Sequence, residues 1–286
     1  MQSALDEVLD LLDLEAIELN LFRGRSPDQD RQRVFGGQVL AQALTAAYRT
    51  VEERLAHSFH AYFLRPGDVK VPILYEVDRI RDGGSFTTRR VVAIQHGRPI
   101  FHLSASFQAH ESGYEHQAPM PDAPSPDELP TSADRREEMR KHAPPELAHW
   151  FSRESAMEER EVNSINWFKP EKQAPHQCIW FKANGKVVDD PALQQALLAY
   201  ASDMSLLDAA TMPHGISFLD DDMQIASLDH AMWFHRPFRA DEWLLYVLDS
   251  PSASNARGLS RGSIYAQNGD LVASVAQEGL MRRRSK

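Results

Sequence analysis

The chain has 286 residues, 42% of them hydrophobic and 25% charged, with a formal net charge of −10 and one cysteine. That balance fits a globular core of one large or two ordinary domains, and its acidity argues against nucleic acid as the main partner. A lone cysteine excludes an internal disulfide framework, and the lack of any apolar run of about eighteen residues excludes a helical membrane span.

In chain order, the acidic N-terminal segment places Leu5, Val8, Leu9 and Leu12 at helical spacing and reads as an amphipathic helix rather than a signal peptide. Ile17–Gly24 alternates as a strand. Phe35-Gly36-Gly37 leads into Gln38–Thr50, an Ala/Leu-rich helix of good propensity. Strands follow at about 57–65, 71–81, 86–96 and 99–109, divided by Pro66-Gly67, Asp82-Gly83-Gly84 and His96-Gly97. From His116 to Glu161 the composition changes: five prolines fall between Pro119 and Pro130, then a charged segment follows. We read a polyproline-like connector and two short helices split by Pro144-Pro145.

The first order then repeats. Glu161–Phe168 and Gln177–Ala183 read as strands, and Pro191–Ala210 as a helix with proline in its first turn. Strands follow at about 224–236, 242–250, 255–268 and 271–281, with Asn268-Gly269 matching His96-Gly97 as a hairpin signal. The run Gln224–Pro237, QIASLDHAMWFHRP, reads as one long strand with Ser227, Asp229, Ala231, Trp233 and His235 on one face; it resembles His57–Pro66, HSFHAYFLRP. The expectation is an α+β chain in which one module is built twice: residues 1–115, a connector 116–160, and residues 161–286. Each copy should bury one face of its long helix on an antiparallel sheet.

Polar groups buried on a strand are costly unless paired, so the second run carries a network or lines a site. His57, His60, His230 and His235 invite a metal, but HSFH points its histidines to opposite faces, and no HExxH or cysteine pair occurs. They read as hydrogen-bonded strand residues. Cys178 reads as a packed thiol. No GxSxG, P-loop or GxGxxG occurs.

VFGGQVLAQAL, HSFHAYFLRPGD, LLAYASD, QIASLDHAMWFHRP and VASVAQEG, in this order over nearly the whole chain, together resemble the acyl-CoA thioesterase II family. The resemblance implies a double hot-dog: two antiparallel sheets, each wrapped round a central helix, in tandem. It also implies hydrolysis of fatty acyl-CoA to free acid and CoA with no cofactor and no metal. The family's Asp falls on Asp203 and its Gln on Gln277, while its usual Thr is Ser227 here. Serine keeps the hydroxyl but loses the methyl that locks the rotamer. These three types suit water activation by a carboxylate, with an amide and a hydroxyl to orient the water.

Wheel position alone leaves Asp203 and Asp208 on opposite margins of the stripe of Leu193, Leu197, Tyr200, Met204 and Leu207. The helix Gln38–Thr50 holds no carboxylate, so one catalytic set per chain is expected. Gly36-Gly37 permits close backbone approach, making Gly37 a candidate substrate contact. Arg89 and Arg257, with Arg90 and Arg261, are candidates for the CoA phosphates, weighed against plain pairing with carboxylates. Trp233, Phe234 and the helix leucines are candidates to line an acyl tunnel.

Two rival readings are a non-catalytic acyl-CoA-binding module and an enoyl-CoA hydratase or dehydratase of hot-dog type. The helix motif and Asp/His pair of the latter are not visible. A homo-oligomer, dimer or tetramer, is expected through sheet edges. The ending RRRSK lacks the Leu of a peroxisomal address, which points to the cytoplasm.

Overall fold

The computed structural model describes residues 3–27, 32–144, 147 and 152–284. Its first helix, α1 (Ala4–Leu12), is closed by a capping box in which Ser3 Oγ accepts from the Asp6 N–H and the Asp6 carboxylate accepts from Ser3 N–H. It buries Leu5, Val8 and Leu12. The expected strand at 17–24 is instead a short hairpin, β1 (Glu15–Glu18) and β2 (Leu21–Gly24), because Asn20 takes a left-handed conformation with φ 61°.

Helix α2 (Gly36–Tyr48) is buried along nearly its whole length. Strands β3 (Leu55–Phe63), β4 (Ile73–Asp82), β5 (Phe86–Gln95) and β6 (Arg98–Gln108) follow. The second half runs β7 (Met157–Glu161), β8 (His176–Ala183), helix α4 (Pro191–Ser202), β9 (Met223–Ser227), β10 (Asp229–Phe234), β11 (Leu244–Ser254), β12 (Arg257–Ala266) and β13 (Leu271–Arg283). Helix α3 (Ser132–His142) lies between the halves. The second connector helix expected beyond Pro144-Pro145 falls largely outside the described residues. Strand β7 begins at Met157, a few residues before the expected boundary, and ends where a strand was expected to begin.

One antiparallel sheet joins both halves in the order β1-β2-β4-β5-β6-β3-β10-β13-β12-β11-β8-β7, with β9 also on β13. Read outward from the β3–β10 seam, the two halves mirror one another: β6 answers β13, β5 answers β12 and β4 answers β11. The inner faces of both halves bury α2 and α4 in one core, with Leu40, Leu44, Leu197 and Leu198 at or near zero exposure. The two helices lie antiparallel: Gly37 abuts the Tyr200 carbonyl, and Tyr48 bonds Gln195 at the other end. Both sheet edges are short and rich in glutamate, which discourages pairing with a further strand.

The connector is more than a joint. Met120, Ala123 and Leu129 pack on Trp180, Leu245 and Tyr265, on the outer side of the second half. Backbone groups fix it there: Trp180 Nε1 donates to the Pro124 carbonyl at 2.8 Å and Gln117 bonds Gly269 and Leu271.

Two corrections bear on the site. The expected helix over 191–210 stops at Ser202, and a separate turn, α5 (Asp208–Thr211), follows. Asp203 is therefore the residue that ends α4, and it shares no helical stripe with Asp208. The long strand expected at 224–236 is also broken, at Leu228, whose carbonyl accepts from Phe63 N–H and whose N–H donates to the Glu278 carbonyl. A bulge breaks β3 at the matching place, between Ala56 and Ser58. Such a bulge resets which side chains face the core. Thus Ser227 reaches Asp203 on the helix side while Trp233 packs edge-on against His60 across the sheet. Trp233 lies off the helix face, so of the proposed tunnel residues Phe234 and the helix leucines pack in the core and Trp233 does not.

Candidate active site

Asp203 follows the last residue of α4 and points its carboxylate at the start of α2. Its side chain is only 4% exposed. That approach requires glycine: a Cβ on Gly36 would lie 2.5 Å from Asp203 Oδ2, and one on Gly37 would lie 2.3 Å from the Tyr200 carbonyl oxygen. The Phe35 side chain provides no hydrogen-bonded cap for α2. The first turn of α2 carries N–H groups that a helix cannot satisfy itself, and one of them, that of Gly37, bonds the carboxylate.

Three elements bring the predicted side chains together. Ser227, the last residue of β9, donates from Oγ to Asp203 Oδ1 at 3.3 Å. Gln277, on β13, donates from Nε2 to Ser227 Oγ at 2.9 Å. Behind Gln277 stands His230 of β10, whose Nδ1 bonds Gln277 Oε1 and lies 4.0 Å from Asp203 Oδ1. His230 Nε2 is 3.0 Å from Ser202 Oγ, on the last turn of α4.

The electrostatics follow from burial. Desolvation pushes Asp203 up to about 6, although the bonds from Gln277, Ser227 and Gly37 and the positive Arg33 pull it back. A carboxylate near 6 is ionised at neutral pH and basic enough to accept a proton from water. Burial lowers His230 to about 4 against the hydrogen bond with Gln277, so its ring is neutral. The Tyr246 phenol, which donates to the Ser202 carbonyl at 3.0 Å, is held protonated by burial and by the neighbouring Asp203 charge.

Asp208, the other candidate carboxylate, lies apart from this set. Burial and its neighbours Glu161 and Glu159 raise it to about 8. Of the proposed phosphate ligands, Arg89 lies far from this set. Arg89 is 1% exposed, and its donors go to Thr50 Oγ1, the carbonyls of Thr50, Arg81 and Thr88, and Asp82. It binds the C-terminal end of α2, about 20 Å by helical rise from Gly37, and has no donor left for a phosphate. Arg257 pairs with Glu278 at 2.8 Å and Arg261 with Asp249. Both of these pairs are at the surface, whereas the donors of Arg89 are spent inside the protein.

Among the histidines expected to be hydrogen-bonded, His235 bonds Ser274, but the buried Nε2 of His57 has no hydrogen-bond partner among the described residues and its ring packs edge-on against Phe86. The bulge in β3 brings His57 and His60 to the outer face together, where opposite faces were expected. Cys178 is partly buried in β8, and burial raises its thiol. Sequence reasoning passed over Ser202 and Ser260. The buried Ser260 Oγ, opposite Gln277 on β12, has no hydrogen-bond partner among the described residues. The only signal for either was its position beside a predicted site residue.

Comparison with known proteins bears on the family of the chain. Residues 147–280 match the family described as acyl-CoA thioesterase, and residues 23–108 match the acyl-CoA thioesterase N-terminal domain. The chain is 42% identical over 283 residues to "Acyl-CoA thioesterase 2" of Haemophilus influenzae, covering 99% of each. It resembles the crystal structure of an acyl-CoA thioesterase II from Mycobacterium marinum with a TM-score of 0.80 and 44% identity, over 97% of this chain and 99% of that one. A protein of unknown function with a hot-dog fold from Alicyclobacillus acidocaldarius matches at a TM-score of 0.77 and 20% identity, over 98% of this chain and 99% of that one, which speaks to fold alone. With full-length identity to one such enzyme and family matches in both halves, the chain belongs to the acyl-CoA thioesterase family.

Proposed function

We propose that this chain hydrolyses fatty acyl-CoA to the free acid and CoA, with Asp203 as general base and Ser227 and Gln277 orienting the attacking water. The observation that supports it is the convergence of Ser227 and Gln277 on one buried carboxylate at the start of α2. Water adds its oxygen to the thioester carbonyl carbon as one of its protons passes to Asp203. The oxyanion that forms is stabilised by backbone N–H groups of the first turn of α2. Collapse breaks the carbon–sulfur bond, and the thiolate takes the proton from Asp203. Neither a metal nor a covalent acyl-enzyme enters this scheme.

The fold that supports the reading is a tandem double hot-dog. The first module spans roughly residues 1–115, the connector 116–160 and the second module 161–286, with β7 bringing the second boundary forward to about 157. Among the described residues no helix is long and apolar enough to cross a membrane. Cytoplasmic location is part of the proposal. A dimer or tetramer joined edge to edge finds no support in the short acidic edge strands. Assembly would use another surface, and sedimentation equilibrium measures it.

The deciding experiment follows free thiol released from acyl-CoA esters of graded chain length. Release from one or more esters, abolished in Asp203→Asn, is expected. No release from any ester would leave the non-catalytic binding reading in place, and hydration of an enoyl-CoA without thiol release would favour the hydratase.

A further inference from the structure

The hydrogen bonds behind the carboxylate have only one consistent set of directions. An ionised Asp203 can only accept, so the Ser227 proton must point to it. Ser227 Oγ then accepts from the Gln277 amide, which turns Gln277 Oε1 toward His230. A carbonyl oxygen accepts only, so His230 Nδ1 must carry a proton. The ring is buried at 0% exposure. Its neutral form leaves Nε2 as a bare lone pair, which needs a donor. Ser202 Oγ, 3.0 Å away, is that donor. The same hydroxyl lies 3.0 Å from the Ala199 carbonyl, but its single proton cannot serve both, and turning it there would orphan a buried nitrogen.

We propose that His230 is a positioning residue: locked by Ser202 as the Nδ1–H tautomer, it holds the Gln277 amide with its NH2 toward Ser227 and thereby aims the whole set at Asp203. Without it, the amide can turn over. Its carbonyl would then face Ser227, drawing the hydroxyl proton away from the carboxylate. Neutrality of the ring is supported by its burial, which brings its pKa to about 4. The first half carries the control. Phe59 stacks on His230, and by strand register it is the residue of β3 that His230 answers on β10. A phenyl ring therefore fills this row of the sheet without disturbing it.

The kinetic consequences rest on the hydrolase reading, but the tautomer does not. In 15N-histidine-labelled protein near pH 7.5, long-range proton–nitrogen spectra should show one buried ring with Nδ1 protonated and Nε2 bare, and that signal should vanish in His230→Phe. An Nε2–H tautomer or an imidazolium would overturn the inference even in a fully active enzyme. His230→Phe should lower kcat by about 10- to 100-fold with KM changed less than about twofold. In a Gln277→Ala background the same change should add less than about twofold, because it acts through that amide. Losses that multiply, or full kcat in His230→Phe, would reject the role. If His230→Phe does not fold, Ser202→Ala serves instead, with a loss of about 3- to 10-fold that also disappears in Gln277→Ala. Wild-type protein that releases no thiol would sink the hydrolase reading and leave the tautomer test standing.

Discussion

The two ends of the α2–α4 pair are built on matching strand rows and finished differently. At one end, neighbouring strands β10, β13 and β12 present His230, Gln277 and Ser260 to the end of α4. At the other, the answering row of β3, β6 and β5 holds Phe59, Ala105 and Arg89: Arg89 binds the end of α2, while Phe59, nearest the seam, stacks on His230. Where the second half has a relay and a small hydroxyl, the first has a phenyl, a methyl and a guanidinium. Arg89 fills its place and bonds the Thr50 carbonyl just past the helix, while the small Ser260 stands opposite Gln277. Positive charge suits a helix C-terminus, so the first half uses its row for stability. The second half places a negative carboxylate at the end of its own helix, an unfavourable position, and relieves it with the N-terminus of α2. One end is thus built to be satisfied and the other to be reactive.

That contrast sets an order of expected effects. Asp203→Asn should lower kcat by about 10²- to 10⁴-fold in thiol-release assays, with circular dichroism unchanged. Arg89→Met should do the reverse. It strips the buried Thr50 groups of their donor and removes a buried side chain, so chemical denaturation should show a loss of about 2–4 kcal/mol, with kcat of the folded protein unaltered. A fall in kcat with stability intact would mean that Arg89 serves substrate after all.

The pH dependence separates the ends as well. Asp203 must be ionised to act as a base, so kcat/KM should fall as pH drops below about 6. For stability the sign is opposite. A carboxylate whose folded pKa is raised stabilises most below its unfolded value and loses that advantage as pH rises through about 6. Asp203→Asn should therefore be more stable than wild type above pH 6, by on the order of 2 kcal/mol, and gain nothing below about pH 4. Thermal melts at pH 4 and pH 8 measure it. The smallest change is expected for Ser227→Thr: the hydroxyl is retained and its rotamer narrowed, so kcat should move by less than about threefold in either direction.

Local chemistry alone carried much of this organisation. The recurrence of HSFHAYFLRP as LDHAMWFHRP marked the strands that meet at the seam, and the glycines after His96 and Asn268 marked two hairpins that form. Asp203, Ser227 and Gln277 could be named because their neighbours in the chain resemble a family. Their bonds to one another could not be named, since they depend on strands fifty residues apart coming into register. The bulges at Leu228 and between Ala56 and Ser58 were hidden for the same reason: alternation is read along one strand, and a bulge is defined by its partner. So were the end of α4 at Ser202, the connector laid over Trp180, and the burial of Arg89. Each is fixed by packing against a distant segment, whereas the periodicity of a strand or helix is fixed by residues within a turn or two of one another.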